Sequence, residues 1–225
     1  MEQNQKTQAY TTPRADISAM VPPNAASILD VGCSNGALGR SLKQAKQGRE
    51  VCGIELDADF AAEARNYLRL VINADLNSMN WEEQLQGQTF DCIIFADVLE
   101  HLTDPVKCLS NARKHLAVGG CVIVSLPNIR HVSALASIFI SGVFPRKDRG
   151  IFDRTHLRWF TLTDARALLH ETGFAVCDAD FALRWGDRGG GIFNRVLNRL
   201  PTQLKKWAPI REFFCYQVCL RAEAR

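Results

Sequence analysis

Along the first half of the chain, short and nearly continuous apolar runs alternate with stretches of helical spacing. Ser27–Cys33 (SILDVGC), Glu50–Leu56 (EVCGIEL), Leu70–Ala74, Phe90–Ala96 (FDCIIFA) and Cys121–Leu126 (CVIVSL) predict five strands. Between them, three segments predict helices: Ala37–Gln47 with Leu38 and Leu42 four apart, the alanine-rich Ala58–Leu68, and Pro105–Ala117 closed by Gly119-Gly120. Strands that are apolar at successive positions need cover on both faces, which argues for a parallel sheet between two helical layers. Right-handed crossovers make it a doubly wound α/β sheet.

After Pro127 the rhythm changes. A short apolar helix over Val132–Ile140 precedes a loop dense in Arg and Lys, FPRKDRGIFDRTHLRWF. Thr161 or Thr163 caps a helix over Asp164–Thr172, which Gly173 ends. Phe174–Phe181 predicts a sixth strand, residues 186–209 a Gly-rich turn and a basic amphipathic helix interrupted by Pro201, and Phe213–Leu220 a seventh strand. No repeat or linker divides the 225 residues. A single domain over 1–225 is expected, with an acceptor-covering lid over about 128–160 and a basic insertion over about 186–209.

Composition narrows the class. At 47% hydrophobic and 23% charged the chain is too apolar for a disordered protein. It has no apolar run of membrane-spanning length, and MEQNQKTQAY lacks the order of a secretory signal, so a cytoplasmic globular protein is expected. The net charge of +3 is uneven: from Phe181 onward nine Lys/Arg face three acids, which leaves −3 on residues 1–180. The basic tail suggests an anionic acceptor or carrier, or peripheral contact with a membrane; the plainer reading is a solvated helix face. The eight cysteines show no C-x-x-C pair and no Cys/His spacing of a metal site, so no metal is expected and a reduced compartment fits. No long basic stripe interleaved with aromatics marks a nucleic-acid partner.

In an open parallel sheet, ligands bind beyond the carboxyl ends of the strands. The first strand ends in LDVGCSNGALG, where Gly32 and Gly36 allow a tight turn and close backbone approach. Ser34 stands where a dinucleotide fingerprint has its second Gly. The second strand ends in Glu55-Leu56-Asp57, and a carboxylate at Glu55 can accept two hydrogen bonds from ribose hydroxyls; Asp57 suits a helix cap better. The third strand ends in Asn73-Ala74-Asp75-Leu76, the fourth in Ala96-Asp97-Val98-Leu99-Glu100-His101 and the fifth in Ser125-Leu126-Pro127-Asn128.

This ordered series, ILDVGCSNGALG, GIELD, NADL, FDCIIFADVLEHLTDP and HLAVGGCVIVSLPN, resembles the class I S-adenosylmethionine-dependent methyltransferases over roughly residues 10–221. GIFDRTHLRWFTL resembles the subgroup associated with O-antigen and polysaccharide synthesis and the quinone-type O-methyltransferases. The resemblance implies a seventh strand inserted antiparallel between the fifth and sixth. It implies S-adenosylmethionine as methyl donor, with Asp30, Gly32, Cys33, Ser34 and Gly36 around its methionine part. Glu55 would take the ribose, Leu56, Asp75 and Leu76 the adenine, and Ala96 and Asp97 the methionine end, with Arg14, before the first strand, a further basic contact to the cofactor. The implied acceptor is an oxygen of a small molecule, glycan or lipid-linked compound; a homodimer fits as well.

A hydroxyl acceptor benefits from a general base, most often His. His156, with Asp153 and Arg154 nearby, leads; His131 and His101 follow, and a purely structural cluster of Asp153, Arg154 and His156 is the plainer reading. His115 and His170, near helix C-termini, read as structural. The alternatives are a nicotinamide-dependent oxidoreductase on a similar fold and a non-catalytic cofactor-binding or membrane-interaction module.

Overall fold

The computed structural model describes residues 13–186 and 191–225. The polar start of the chain and most of the Gly-rich turn therefore lie outside the described residues. The elements are α1 (Ala15–Met20), β1 (Ser27–Val31), α2 (Ala37–Ala45), β2 (Glu50–Glu55), α3 (Ala58–Ala64), β3 (Leu70–Asn73), α4 (Trp81–Leu85), β4 (Phe90–Ala96), α5 (Pro105–Lys114), β5 (Leu116–Pro127), α6 (Val132–Leu135), α7 (Leu162–Glu171), β6 (Phe174–Leu183), α8 (Ile192–Asn198), α9 (Thr202–Lys206), α10 (Ala208–Phe214) and β7 (Cys215–Ala224).

The strands form one seven-stranded sheet in the order β3-β2-β1-β4-β5-β7-β6. β1 to β5 pair in parallel, and β7 runs antiparallel between β5 and β6. The strand period of two divides each apolar run between two cores. Leu29, Val31, Ile54, Ile93, Phe95, Val122 and Val124 enter one, and Ile28, Val51, Cys92, Ile94, Cys121 and Ile123 enter the other. This is the two-sided cover that the unbroken apolar runs require.

Several predicted boundaries move for physical reasons. α5 stops at Lys114, and Leu116–Gly120 already belong to β5, because Leu116 pairs with Phe90 before a register shift. Gly120 is a glycine of the strand: a Cβ there would lie 2.9 Å from the Ala117 carbonyl oxygen and 3.0 Å from that of Phe90. The last strand begins at Cys215 and runs to Ala224, with Phe213 and Phe214 ending α10. The basic helix is three short helices, broken at Pro201 and restarted before Pro209. The apolar helix after β5 is one α turn that widens into a π turn over Ala136–Ile140. Thr161, not Thr163, caps α7, in a capping box with Asp164. The short helices α1 and α4 escape the sequence pattern because each is only about one turn long.

Gly39 sets how closely α2 lies on the sheet. A Cβ there would meet Leu68 Cδ2 at 2.4 Å and Val51 Cγ1 at 3.0 Å. Gly39→Val is expected to lower unfolding stability by about 1–3 kcal/mol through overpacking. Denaturant titration checks this, and an unchanged midpoint would contradict the packing.

Candidate active site

The register brings the carboxyl ends of the central strands to one edge. Val31 pairs with both Ile54 and Phe95, and Ala96 with Ser125. The loop after β1 is built from left-handed backbone at Gly32, Ser34 and Gly36 (φ +73°, +48° and +80°). At Gly32 a side chain is excluded twice over, since a Cβ would stand 2.6 Å from Val98 Cγ2. Gly32 and Cys33 donate their N–H groups to the Ile54 carbonyl, at 2.8 and 3.1 Å, which seats the loop on β2.

Glu55 joins two strand exits through one carboxylate. Oε2 accepts the Ser34 N–H at 2.8 Å and Oε1 the Asp57 N–H at 2.9 Å. Asp57 itself caps α3, accepting from the N–H groups of Asp59 and Phe60. Beside Glu55, Leu56 is 69% exposed, an apolar side chain left uncovered at a polar edge. Asn73 donates to the carbonyls of Glu55 and Leu56 and so fixes that exit against β3. Asp75 is exposed, and its Oδ1 accepts from the backbone and side-chain N–H of Asn77. Leu76 is half-buried against the core.

Deeper in, Asp30 is 2% exposed and its Oδ2 has no hydrogen-bond partner. Burial, then the Glu55 charge, push its carboxyl up to about 7, against a smaller opposing pull from Arg14. The buried Ser34 Oγ and Asn35 Oδ1 also lack partners. Three unsatisfied polar atoms, one at the end of β1 and two in the glycine-rich loop that follows, mark a surface suited to a polar ligand.

At the exit of β4, Asp97 takes a left-handed conformation (φ +59°) and gathers a network. Arg14 Nη1 donates to Asp97 Oδ2 at 2.5 Å, and Nη2 donates to Ser125 Oγ at 2.9 Å and to Asp16 at 2.7 Å. Gln217 Nε2 donates to Asp97 Oδ1 and, at 2.8 Å, to Ser125 Oγ. Gln217 was not singled out in the sequence. It reaches the site because the antiparallel β7 sets it opposite Pro127. Its signal was there to read, as one amide in the otherwise apolar FFCYQVCL.

The three candidate histidines separate. His131 is fully buried; its Nδ1 accepts from the Ser133 N–H and hydroxyl, and its Nε2 donates to the Arg184 carbonyl at 2.9 Å. Both ring nitrogens of His131 are thus engaged in hydrogen bonds that cap α6 and tie it to the Arg184 carbonyl. His156 and His101 meet edge to face, ring centres 4.7 Å apart. His156 is buried, Nδ1 donating to the Ile151 carbonyl and Nε2 lying 3.9 Å from Glu100 Oε1. Burial, then His101, hold its imidazole below the ordinary histidine value. Glu100 is 1% exposed with Oε2 unpartnered, and burial followed by the Asp97 charge holds its carboxyl well above the usual carboxylate range.

His101, half-buried, donates from Nδ1 to the Thr155 carbonyl (3.2 Å), beside Thr155 Oγ1 (3.1 Å). Thr155 in turn donates to Asp153 at 2.7 Å. This network fixes the tautomer and leaves the Nε2 lone pair of His101 outside the described hydrogen bonds. Arg154 is not part of this cluster; it pairs with Asp148 at 2.6 Å. Glu100, His101 and His156 also place one ligand atom each within 4.8 Å of one another, a spacing able to hold a cation. Neighbours 55 residues apart in sequence escape a search for short metal motifs.

The methyltransferase domain family matches residues 5–179. The chain is 35% identical over 178 residues to a ubiquinone biosynthesis O-methyltransferase of Hydrogenovibrio crunogenus, covering 77% of this chain and 68% of that protein. It is 32% identical over 132 residues to the Pasteurella multocida protein of the same name, 53% of each chain. Magnesium protoporphyrin IX methyltransferase of Synechocystis, solved with bound SAH, shares the fold at a TM-score of 0.60 and 17% identity, over all of this chain and 84% of that one. The chain belongs to the methyltransferase domain family and is a methyltransferase, which sets aside the nicotinamide-dependent alternative.

The Asp30 environment makes a signed prediction. Its folded value near 7 stands above the ordinary 3.8, so the folded state holds a proton that the unfolded state has lost between those values. Stability from this group is full below about pH 4 and is lost as pH rises toward 7. Relative to Asp30→Asn, the wild type should lose up to about 4 kcal/mol across that window. Parallel pH-stability curves for the two proteins would contradict this.

Proposed function

We propose that this chain transfers the methyl group of S-adenosylmethionine to a hydroxyl oxygen of a small molecule. The observation that carries the reading is His101, held by Thr155 through Nδ1 with Nε2 left over, four residues from Asp97 at the exit of β4. The names of the relatives, O-methyltransferases of ubiquinone biosynthesis, support oxygen as the atom and a small molecule as the acceptor class. They lend no support to a sugar or a lipid-linked acceptor.

The loop residues fit the donor. Glu55 retains acceptor capacity on both oxygens for ribose hydroxyls, since each takes one backbone N–H. Leu56 and Leu76 offer apolar surface for a purine, and Asp75 an acceptor for its amino group. Asp30, Gly32, Cys33, Ser34 and Gly36 surround the methionine part, with unsatisfied oxygens at Asp30 and Ser34 suited to its ammonium. Ala96, Asp97 and Arg14 close the methionine end. When bound, the donor supplies a sulfonium methyl that leaves by in-line displacement.

The chain's own residues orient and deprotonate. His101 Nε2 takes the acceptor hydroxyl proton as the oxygen–methyl bond forms. Asp153, through Thr155, steadies the imidazolium, and buried His156 holds the ring edge-on as a positioning residue. The segment 128–160 is the lid, and 1–225 acts as one domain. The eight free cysteines, with Cys177 exposed, support a reducing, cytoplasmic setting. Among the described residues no helix is long and apolar enough to cross a membrane.

Two measurements test this. Calorimetry with SAH should show binding that Glu55→Ala weakens about tenfold or more; no binding by the wild type would refute the donor assignment. With an accepted hydroxyl substrate, His101→Asn should lower kcat by about 10²–10⁴ while SAH affinity holds. Full activity in that variant would remove His101 as the base.

A further inference from the structure

The lid carries apolar side chains that the described protein leaves mostly or half exposed. Phe139 and Ile140, at the end of the π turn, are 79% and 84% exposed, and Val143 and Phe144 follow at about half exposure. Directly after them stand Arg146 and Arg149, both exposed. A second patch of the same kind lies on α8 and before α10, where exposed Ile192, Phe193 and Trp207 accompany exposed Arg195 and Arg199. Both segments leave the same end of the sheet: Leu183 pairs with Cys215, and Gln217 with Pro127. They are tied there, since Asn128 donates to the Glu212 and Cys215 carbonyls and His131 to that of Arg184.

We infer that this face docks on an anionic lipid bilayer, the apolar tip of the lid entering the acyl boundary and the arginines meeting the headgroups. Charge complementarity selects this occupant. Apolar tips beside basic residues match a surface that is oily inside and negative at its rim. The local acid, Asp148, is paired with Arg154 and does not offset Arg146 and Arg149. A second copy would set arginine against arginine across the same face. Side chains four-fifths exposed stand out from the surface, which suits insertion rather than capture of a peptide in a groove.

The test is cosedimentation of the full chain with vesicles, without donor or acceptor, so that its outcome is separate from that of the methyltransferase reading. Vesicles of equal parts phosphatidylglycerol and phosphatidylcholine should bind the protein, and phosphatidylcholine alone should bind it far more weakly. Each basic side chain at such a surface is worth about fivefold in affinity, so Arg146→Glu with Arg149→Glu should cost at least about 25-fold. Phe139→Ser with Ile140→Ser should cost about tenfold or more. Both double variants should retain wild-type thermal unfolding and SAH affinity, because all four side chains are exposed. The inference is overturned by equal or absent binding to the two vesicles, by undiminished binding in either variant, or by a wild-type dimer that the Phe139/Ile140 variant dissolves.

Discussion

The parallel register of β1 with β2 and β4 is the constraint from which the site follows. Because Val31, Ile54 and Phe95 stand side by side, three chain exits leave the sheet at one height. Each exit must bend at once toward a helix, and the polar groups freed by the bend need partners. Glu55 supplies them to two exits, Asn73 locks the second to the third, and Ser125 receives the Asp97 N–H at the fourth. The same hydrogen bonds that end the strands are thus the ones that shape the ligand edge.

That edge is crowded with acids. Asp16, Asp30, Glu55, Asp97, Glu100 and Asp153 lie around it, and the nearest cation in the network is Arg14. Arg14 resists losing its proton: burial opposes the charge, but Asp97 and Asp16 outweigh it. Its guanidinium holds α1 and the exits of β4 and β5 in one planar fork. An edge with more acids than bases suits a cationic ligand, in keeping with a sulfonium that also carries an ammonium group.

Much of the fold was legible because β1 to β5 are apolar at successive positions, a pattern that parallel strands between two layers impose. The Gly32–Gly36 loop, Glu55 and Asp97 were legible for a related reason, since strand ends can be located to within a residue or two. What escaped was contact between distant segments. Nothing local in LEHL or DRTHL says that His101 rests on His156, and the stitching of the Leu157 and Arg158 N–H groups to the Glu100 carbonyl is a product of the folded chain alone. The bonds of His131 escaped for the same reason: its place after the fifth strand is legible, but not that its side chain caps α6 and donates to the Arg184 carbonyl.

The segment after β5 begins and ends at a single point: Asn128 bridges Phe160, and the Ile129 N–H donates to the Phe160 carbonyl. Mechanically it is a closed loop hung from one knot. Loop-closure entropy rises only slowly with length, so residues could be added or removed beyond that knot at little cost to the sheet. Variation in length and sequence can therefore accumulate in one interval of the chain while the register beneath stays fixed. In evolutionary terms the Asn128–Phe160 junction is a cut-and-join site, a place where one interval of the chain can be exchanged without rebuilding the sheet beneath it.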